Sequence, residues 1–366
     1  MNNNIKIVVT DSNRELGNLI VKNLINKGYI NKDNKDNKDN KDNKDNKDNK
    51  DNKDNKDNKD NEDFNICCVS DFANSETRIK IMKNVRDKEI FIVSTGCKYN
   101  NKSINDIIIE IGLIASGMEI SGVSKINLII PCLPYARSDK KIDREPISVR
   151  NIINYFIISG ISRIICTDLH SGQIQGMGMK NIPIDNLYCI NIFVEYINNV
   201  LINCDKDNFI LVSPDEGGIK RIMAYSNKLN MNYISLNKKR KYDLNNVVEK
   251  SEIVGDPHFY INKTCLIIDD IIDTAGTVCT GANVLIENGA KDIILIATHG
   301  IFSGNSLNNI NMNNYIKNVI VTNSIPQTQN KLKCSKIIDL DISILLSNVI
   351  ERLSNKKGES ISELFS

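Results

Sequence analysis

Short apolar runs recur along this chain, and stretches with helical spacing of apolar positions lie between them. Ile5–Val9, Ile90–Val93, Ile126–Ile130 and Arg163–Thr167 read as strands, and Arg14–Lys27, Ser103–Gly117 and Ile147–Ser159 as helices. The alternation then restarts. Helices are expected near Ile190–Ile202, at Gly218–Leu229 and at Val278–Glu287. Strands are expected at Phe209–Val212, Tyr233–Leu236, Leu266–Ile268, Ile293–Ala297 and Val319–Thr322, with Asp341–Leu353 as a terminal helix. Such alternation predicts an α/β protein of two similar domains, residues 1–187 and 188–366. Each is expected to be a mainly parallel sheet flanked by helices.

One stretch breaks the pattern. Residues 31–60 are ten consecutive Asn-Lys-Asp triplets. With no apolar side chain, this segment has nothing to bury against the cost of ordering its backbone, and it reads as a disordered insertion at residues 31–63. A long insertion between two elements costs little closure entropy. Its Lys and Asp nearly cancel, so it is neither a basic nor an acidic arm.

Composition narrows the class. The chain has 366 residues, 41% hydrophobic and 25% charged, as expected of a globular protein with room for two domains. A net charge of +2 gives no support to a nucleic-acid partner. No apolar run is long enough to span a bilayer, and the start, MNNNIKIVVTDSNRE, lacks the basic-then-apolar order of a signal peptide. A cytoplasmic enzyme without membrane association is the expectation. The ten Cys are scattered, several in apolar runs (Cys132, Cys166, Cys265), as buried thiols of a reducing compartment would be.

The most informative segment is LIIDDIIDTAGT, Leu266–Thr277. An apolar strand ends in two carboxylates, Asp269 and Asp270, and a loop of small and hydroxyl residues leads into a helix. Ligands of open α/β sheets sit outside the carboxyl ends of strands, and N–H groups at a helix start hold phosphate. Like charges forbid the acidic pair from gripping a phosphate, but it can accept hydrogen bonds from sugar hydroxyls or hold a divalent cation. The segment therefore describes a sugar-phosphate site; the plain alternative is a solvated acidic turn. Three other segments repeat this logic. In IICTDLHSGQIQG, His170 stands beside Asp168 at a strand end, as a metal or phosphate ligand or as a structural residue. In FILVSPDEGGIKR, Asp215 precedes a Gly-Gly helix start. PCLPYARSDKKIDREPIS carries Arg137, Lys140, Lys141 and Arg144, which suit a polyphosphate or a plain basic loop.

Together with DFANSET (Asp71–Thr77), THGIFSG (Thr298–Gly304), VTNSIPQ (Val321–Gln327) and GESISELFS (Gly358–Ser366), these strings resemble the ribose-phosphate pyrophosphokinase family, also called phosphoribosyl pyrophosphate synthetases. The resemblance spans nearly the whole chain apart from the repeat. It implies two phosphoribosyltransferase-like domains and transfer of the diphosphoryl group of MgATP to ribose 5-phosphate. The products are phosphoribosyl pyrophosphate and AMP. By the same resemblance, Asp269 and Asp270 bind the ribose hydroxyls, and Asp273, Thr274, Ala275, Gly276 and Thr277 wrap the 5-phosphate. Magnesium is held by His170 and Asp215, with Asp168 and Asp185 as acidic neighbours. Phe72, Asn74, Glu76, Arg137 and Asp139 form the ATP site. The segment Ser235–Asp243 matches a mobile catalytic loop in which Lys238 and Arg240, together with His170, are catalytic. The ATP site is shared between subunits in this family, which implies a homo-oligomer, by analogy a hexamer. Departures from the family pattern at Ser138, Met177, Asn181, Glu216 and Asn237 keep a second reading open, a silent subunit that regulates a partner synthetase. An ordinary phosphoribosyltransferase would share only the 269–277 loop.

Overall fold

The computed structural model describes residues 4–30, 66–203, 205–243, 246–355 and 358–364, and the side chains of all of these except 238–251. The Asn-Lys-Asp repeat lies outside the described residues.

Two sheets organise the chain. The first has the order β1 (Ile5–Val9), β4 (Glu89–Val93), β5 (Lys125–Ile129), β6 (Arg163–Thr167) and β7 (Ile184–Leu187), every pair parallel. These strands are near-continuous apolar runs because helices cover both faces. On one face lie α2 (Ile104–Ile120) and α3 (Ser148–Ile158), which bury Ile107, Ile111, Ile114, Ile153 and Phe156 among them. On the other lies α1 (Arg14–Asn26), through Leu16, Ile20 and Leu24. A separate hairpin, β2 (Cys67–Asp71) and β3 (Thr77–Ile81), packs beside α2 and turns through the Phe72–Glu76 segment.

The second sheet has seven strands. In sheet order they are β10 (Asn246–Val254), β9 (Tyr233–Asp243), β8 (Phe209–Ser213), β11 (Thr264–Ile272), β12 (Asp292–Gly300), β13 (Ile316–Thr322) and β14 (Ile337–Leu340). All pairs are parallel except β9–β10. The helices of this half are α4 (Ile190–Tyr196), α5 (Ile219–Leu229), α6 (Gly276–Glu287), α7 (Ser306–Met312), α8 (Thr328–Lys333) and α9 (Ser343–Ser354).

The strand orders explain where a ligand can go. In the first sheet the order runs one way, from β1 through β4 to β7. In the second, the chain leaves β8 outward to β9 and then returns to the other side as β11. The reversal opens a crevice between the carboxyl ends of β8 and β11, the place where open α/β sheets bind ligands.

The sheets divide near Leu187, but the interior does not. Successive strand residues face opposite ways. Leu266 and Ile268 of β11 therefore point into a core shared with Phe91, Val93 and Ile129 of the first sheet, while Cys265 and Ile267 face an outer core under α6. The last helix reinforces the union. Leu346, Val349 and Ile350 of α9 join that shared core, Asn23 of α1 donates to Ser343 Oγ at 2.9 Å, and Lys27 pairs with Glu351 at 2.9 Å. Cys132, Cys166 and Cys265 are buried free thiols, and among the described residues no helix is long and apolar enough to cross a membrane.

Two expectations change. The segment Ser235–Asp243 is not a loop: it belongs to β9 and pairs antiparallel with β10, Lys238 opposite Ser251 and Arg240 opposite Glu249. The side chains of Lys238 and Arg240 lie outside the described residues. Pairing of β9 with β8 ends at Ser235, so the hairpin projects past the carboxyl end of β8. At the usual strand rise, Lys238 stands about 10 Å beyond that last pair, on the ligand side of the sheet. The acidic pair, too, does not follow its strand but lies inside it. Pairing of β11 with β8 stops at Ile267, whereas pairing with the longer β12 continues to Ile272. The carboxylates emerge past β8 while β12 still holds their backbone.

Candidate active site

The crevice holds a cavity of about 320 Å³, within the range of small-ligand sites. Asp215, Gly217, Gly218 and Arg221 line it from the turn after β8, and Asp269 to Val278 line it from β11, its loop and α6. Arg137 and His170 reach it from the first half.

The acidic pair is the electrostatic centre. Arg221, at the third position of α5, donates from one guanidinium nitrogen to Asp269 at 2.9 Å and pairs through the other with Asp270 at 3.1 Å. On the far side of Asp270, His170 Nδ1 stands 2.7 Å from its second oxygen. Burial works against the charge of Asp270, but His170 and Arg221 outweigh it and hold its carboxyl well below the ordinary range. Asp269 takes the opposite course: burial, then its hydrogen bond and charge contact with Asp270, push it up to about 8. Folding thus drives the two carboxyls apart in acidity, Asp270 downward and Asp269 upward. The bond to Asp270 in turn raises the His170 imidazole above its ordinary value.

This arrangement has a testable stability consequence. A group whose pKa is raised by folding gives up stability as pH climbs from its unfolded to its folded value. For Asp269 that window runs from about 4 to about 8. Asp269→Asn removes the titration and keeps an acceptor for Arg221. The melting temperature of the ligand-free variant is expected to exceed that of the parent by a margin that widens up to about pH 8, while activity falls. A constant margin across that range would contradict the assignment.

The phosphate-type loop follows. Ala275 has φ 60° and caps α6, which begins at Gly276. The N–H groups of a helix's first turn lack partners within the helix and attract anions. A Cβ added at Gly276 would meet only Thr274 Oγ1, at 3.8 Å; its position faces open space beside the loop. Asp273, two residues before the cap, pairs with Arg137 at 2.5 Å across the mouth of the cavity. Burial opposes the Asp273 charge, but Ser303 and Arg137 prevail and its carboxyl titrates below the ordinary value. Beside it, Asp215 caps the turn after β8 by accepting from Gly218 N–H at 3.0 Å. Gly218 is required there, since a Cβ would lie 2.5 Å from Ser213 Oγ.

Of the residues singled out in the sequence, His170, Asp215, Arg137 and the whole 269–277 segment come together around this cavity. Asp139 does not line it, although its charge adds to the proton affinity of His170. Asp168 lies behind the wall, its carboxylate accepting from Thr298 Oγ1 at 2.7 Å and Cys189 N–H at 3.1 Å. Asp185, one residue into β7, is ion-paired to Arg163 at the start of β6. Phe72, Asn74 and Glu76 occupy the exposed hairpin turn, where Asn74 Oδ1 accepts from Glu76 N–H and the Arg78 guanidinium sits 5.8 Å from the Phe72 ring centre. The turn lines no part of the cavity. Sequence reading passed over Arg221. The signal was there: a buried acidic pair requires a cation, and Arg221 is the basic residue one turn beyond the Gly-Gly helix start.

A mainly parallel sheet with this crevice, an acidic pair within the strand beside it and an anion cradle at the next helix define a phosphoribosyltransferase-type enzyme. Residues 5–160 match the N-terminal domain of ribose phosphate pyrophosphokinase, and residues 249–366 match the phosphoribosyl synthetase-associated domain. The structure is similar to that of phosphoribosylpyrophosphate synthetase from Mycobacterium smegmatis, with a TM-score of 0.76 and 26% identity over 96% of this chain and 98% of that one. A purine phosphoribosyltransferase from Pyrococcus horikoshii is also similar, with 21% identity and a TM-score of 0.26 over 32% of this chain and 74% of that one. The chain belongs to the ribose-phosphate pyrophosphokinase family, the enzymes that form phosphoribosyl pyrophosphate from ribose 5-phosphate.

Proposed function

We propose that this chain transfers the diphosphoryl group of ATP to the anomeric hydroxyl of ribose 5-phosphate and releases AMP, for nucleotide biosynthesis. The observation that carries this reading is the meeting of four features across one cavity: the acidic pair, the phosphate-type loop, Asp215, and Arg137 with His170 from the other half. Asp269 and Asp270 accept hydrogen bonds from the ribose hydroxyls. Backbone N–H groups of residues 273–277 hold the 5-phosphate. Arg137 is released from Asp273 to meet phosphate oxygens, for which a guanidinium fork is well shaped. Lys238 and Arg240, on the hairpin that projects past β8, stabilise the charge that develops on the transferring group.

The donor set suits magnesium. Among the described residues no three His, Cys, Asp or Glu side chains form a metal cage. Magnesium needs none, because it keeps several waters and binds through one or two carboxylates plus substrate phosphates. Asp215 and His170 would hold it, and it would supply neutralising charge at the diphosphoryl oxygens.

The ATP site is incomplete in one chain, since Phe72, Asn74 and Glu76 stand outside the cavity. We take a neighbouring subunit to supply them, with Phe72 stacking on the adenine, so that the working form is a homo-oligomer and by family analogy a hexamer.

The sugar test is direct. A site built to accept hydrogen bonds from two hydroxyls leaves a carboxylate unpaired when one is missing. With 2-deoxyribose 5-phosphate, kcat/KM is expected to fall by about 100-fold or more. Equal use of both sugars would remove the role given to Asp269 and Asp270.

A further inference from the structure

Asp168 sits at a sharp point in the backbone. It follows β6 directly and has φ 40°, in the left-handed region that only Gly, Asn and Asp visit readily. Its backbone N–H and one carboxylate oxygen are engaged. Its N–H donates to Leu187 O at 2.8 Å, and one carboxylate oxygen accepts from both Thr298 Oγ1 and Cys189 N–H. The residues on either side are fixed as firmly. Leu169 N–H donates to Asn186 Oδ1 at 2.9 Å, and Thr167 O lies 2.9 Å from His299 Nε2. Since a carbonyl only accepts, His299 Nε2 carries the proton and Nδ1 accepts from Ser324 Oγ at 2.9 Å. Thr298, His299 and Ser324 are all buried.

These bonds cross from one half to the other at a telling place. Thr298 and His299 are consecutive residues of β12. Their strand neighbour is β11, where Asp269 pairs with Ala297 and Ile271 with His299, so Asp270 stands directly beside them. On the other side of the bonds, Asp168 is two residues before His170, whose ring meets Asp270 at 2.7 Å. One short polar bridge therefore ties the turn after β6, which carries His170, to the strand that supports its partner.

We propose that Asp168 is a positioning residue and not a metal ligand: with Thr298, His299 and Ser324 it forms a latch between the two halves that registers His170 against Asp270. This inference rests on the function proposed above, because positioning matters only if His170 works in that site. The latch acts through geometry. One oxygen of the half-buried Asp168 carboxylate is held by a hydroxyl and an N–H, and Asp168 does not line the cavity, whereas Asp215 does. A displacement of about 1 Å at a reacting group can cost on the order of 100-fold in rate.

Three substitutions and two readouts decide the matter. Thr298→Val deletes the donor at constant shape; kcat is expected to fall about tenfold or more with the KM for ribose 5-phosphate little changed. Thr298→Ser returns the hydroxyl and should recover most of that loss. Asp168→Asn suits the left-handed backbone and keeps an acceptor but not the charge. It should lower kcat severalfold without moving the magnesium concentration for half-maximal rate. The second readout needs no turnover: binding of manganese to purified protein, followed by loss of the free ion's paramagnetic signal. Asp168→Asn should bind it like the parent, and Asp215→Asn more weakly. Manganese affinity lost in Asp168→Asn as in Asp215→Asn, or unchanged kcat in Thr298→Val, would overturn the latch. Parent protein that makes no phosphoribosyl pyrophosphate would instead defeat the proposed function, and manganese binding would still decide the role of Asp168.

Discussion

Replacing Arg221 by Ala is expected to destabilise the ligand-free protein by about 3 kcal/mol and to lower kcat/KM for ribose 5-phosphate by about 100-fold or more. Arg221 is the cation that touches both members of the acidic pair, at 2.9 and 3.1 Å, and the pair itself is mostly buried. Removing one partner of a buried ion pair leaves charge without compensation, which costs more than the pair contributes when intact. The carboxylates have one escape, which is to take up protons. The folded variant then binds more protons than the parent, so the stability deficit grows as pH rises. Thermal unfolding from pH 5 to pH 9 should show the gap in melting temperature widening. A variant as stable as its parent at pH 9, with normal turnover, would remove Arg221 from the account.

The second large effect is expected at the anion cradle. Gly276→Val places two methyl groups where the structure has open space beside the loop, in the first turn of α6. The fold tolerates the change, because no backbone lies near the added Cβ and Gly276 does not have positive φ. The 5-phosphate does not. The KM for ribose 5-phosphate should rise about 100-fold, near 2.7 kcal/mol of lost binding, with melting temperature within a few degrees of the parent. Retained affinity would mean that the phosphate binds elsewhere.

Much of this architecture can be read from local pattern, and the reason is specific to the elements concerned. Strands such as Ile90–Val93 and Leu266–Ile268 are buried on both faces, so they appear as unbroken apolar runs, and their ligand-bearing ends announce themselves as abrupt changes to polar residues. The β2–β3 hairpin was missed because its strands alternate half-buried with exposed positions and contain charges, Asp71, Arg78 and Lys80 among them. The Ser235–Asp243 segment read as a basic loop because its β-structure comes from pairing with Asn246–Val254 and not from its own composition. The site followed the same rule. Residues adjacent in the chain, Asp269 to Thr277, could be recognised together. The groups that hold them in place could not: Asp168 and Thr298 are separated by 130 positions and His170 and Asp270 by 100, distances that no local periodicity records.

The measurement that tests the central claim most directly is a coupled assay for AMP formation by purified protein with ATP, magnesium and ribose 5-phosphate, run with and without inorganic phosphate. The account predicts AMP and phosphoribosyl pyrophosphate in equal amounts, and neither when ribose 5-phosphate is omitted. Folded protein that forms no AMP in either condition, or that releases ADP in its place, would contradict it.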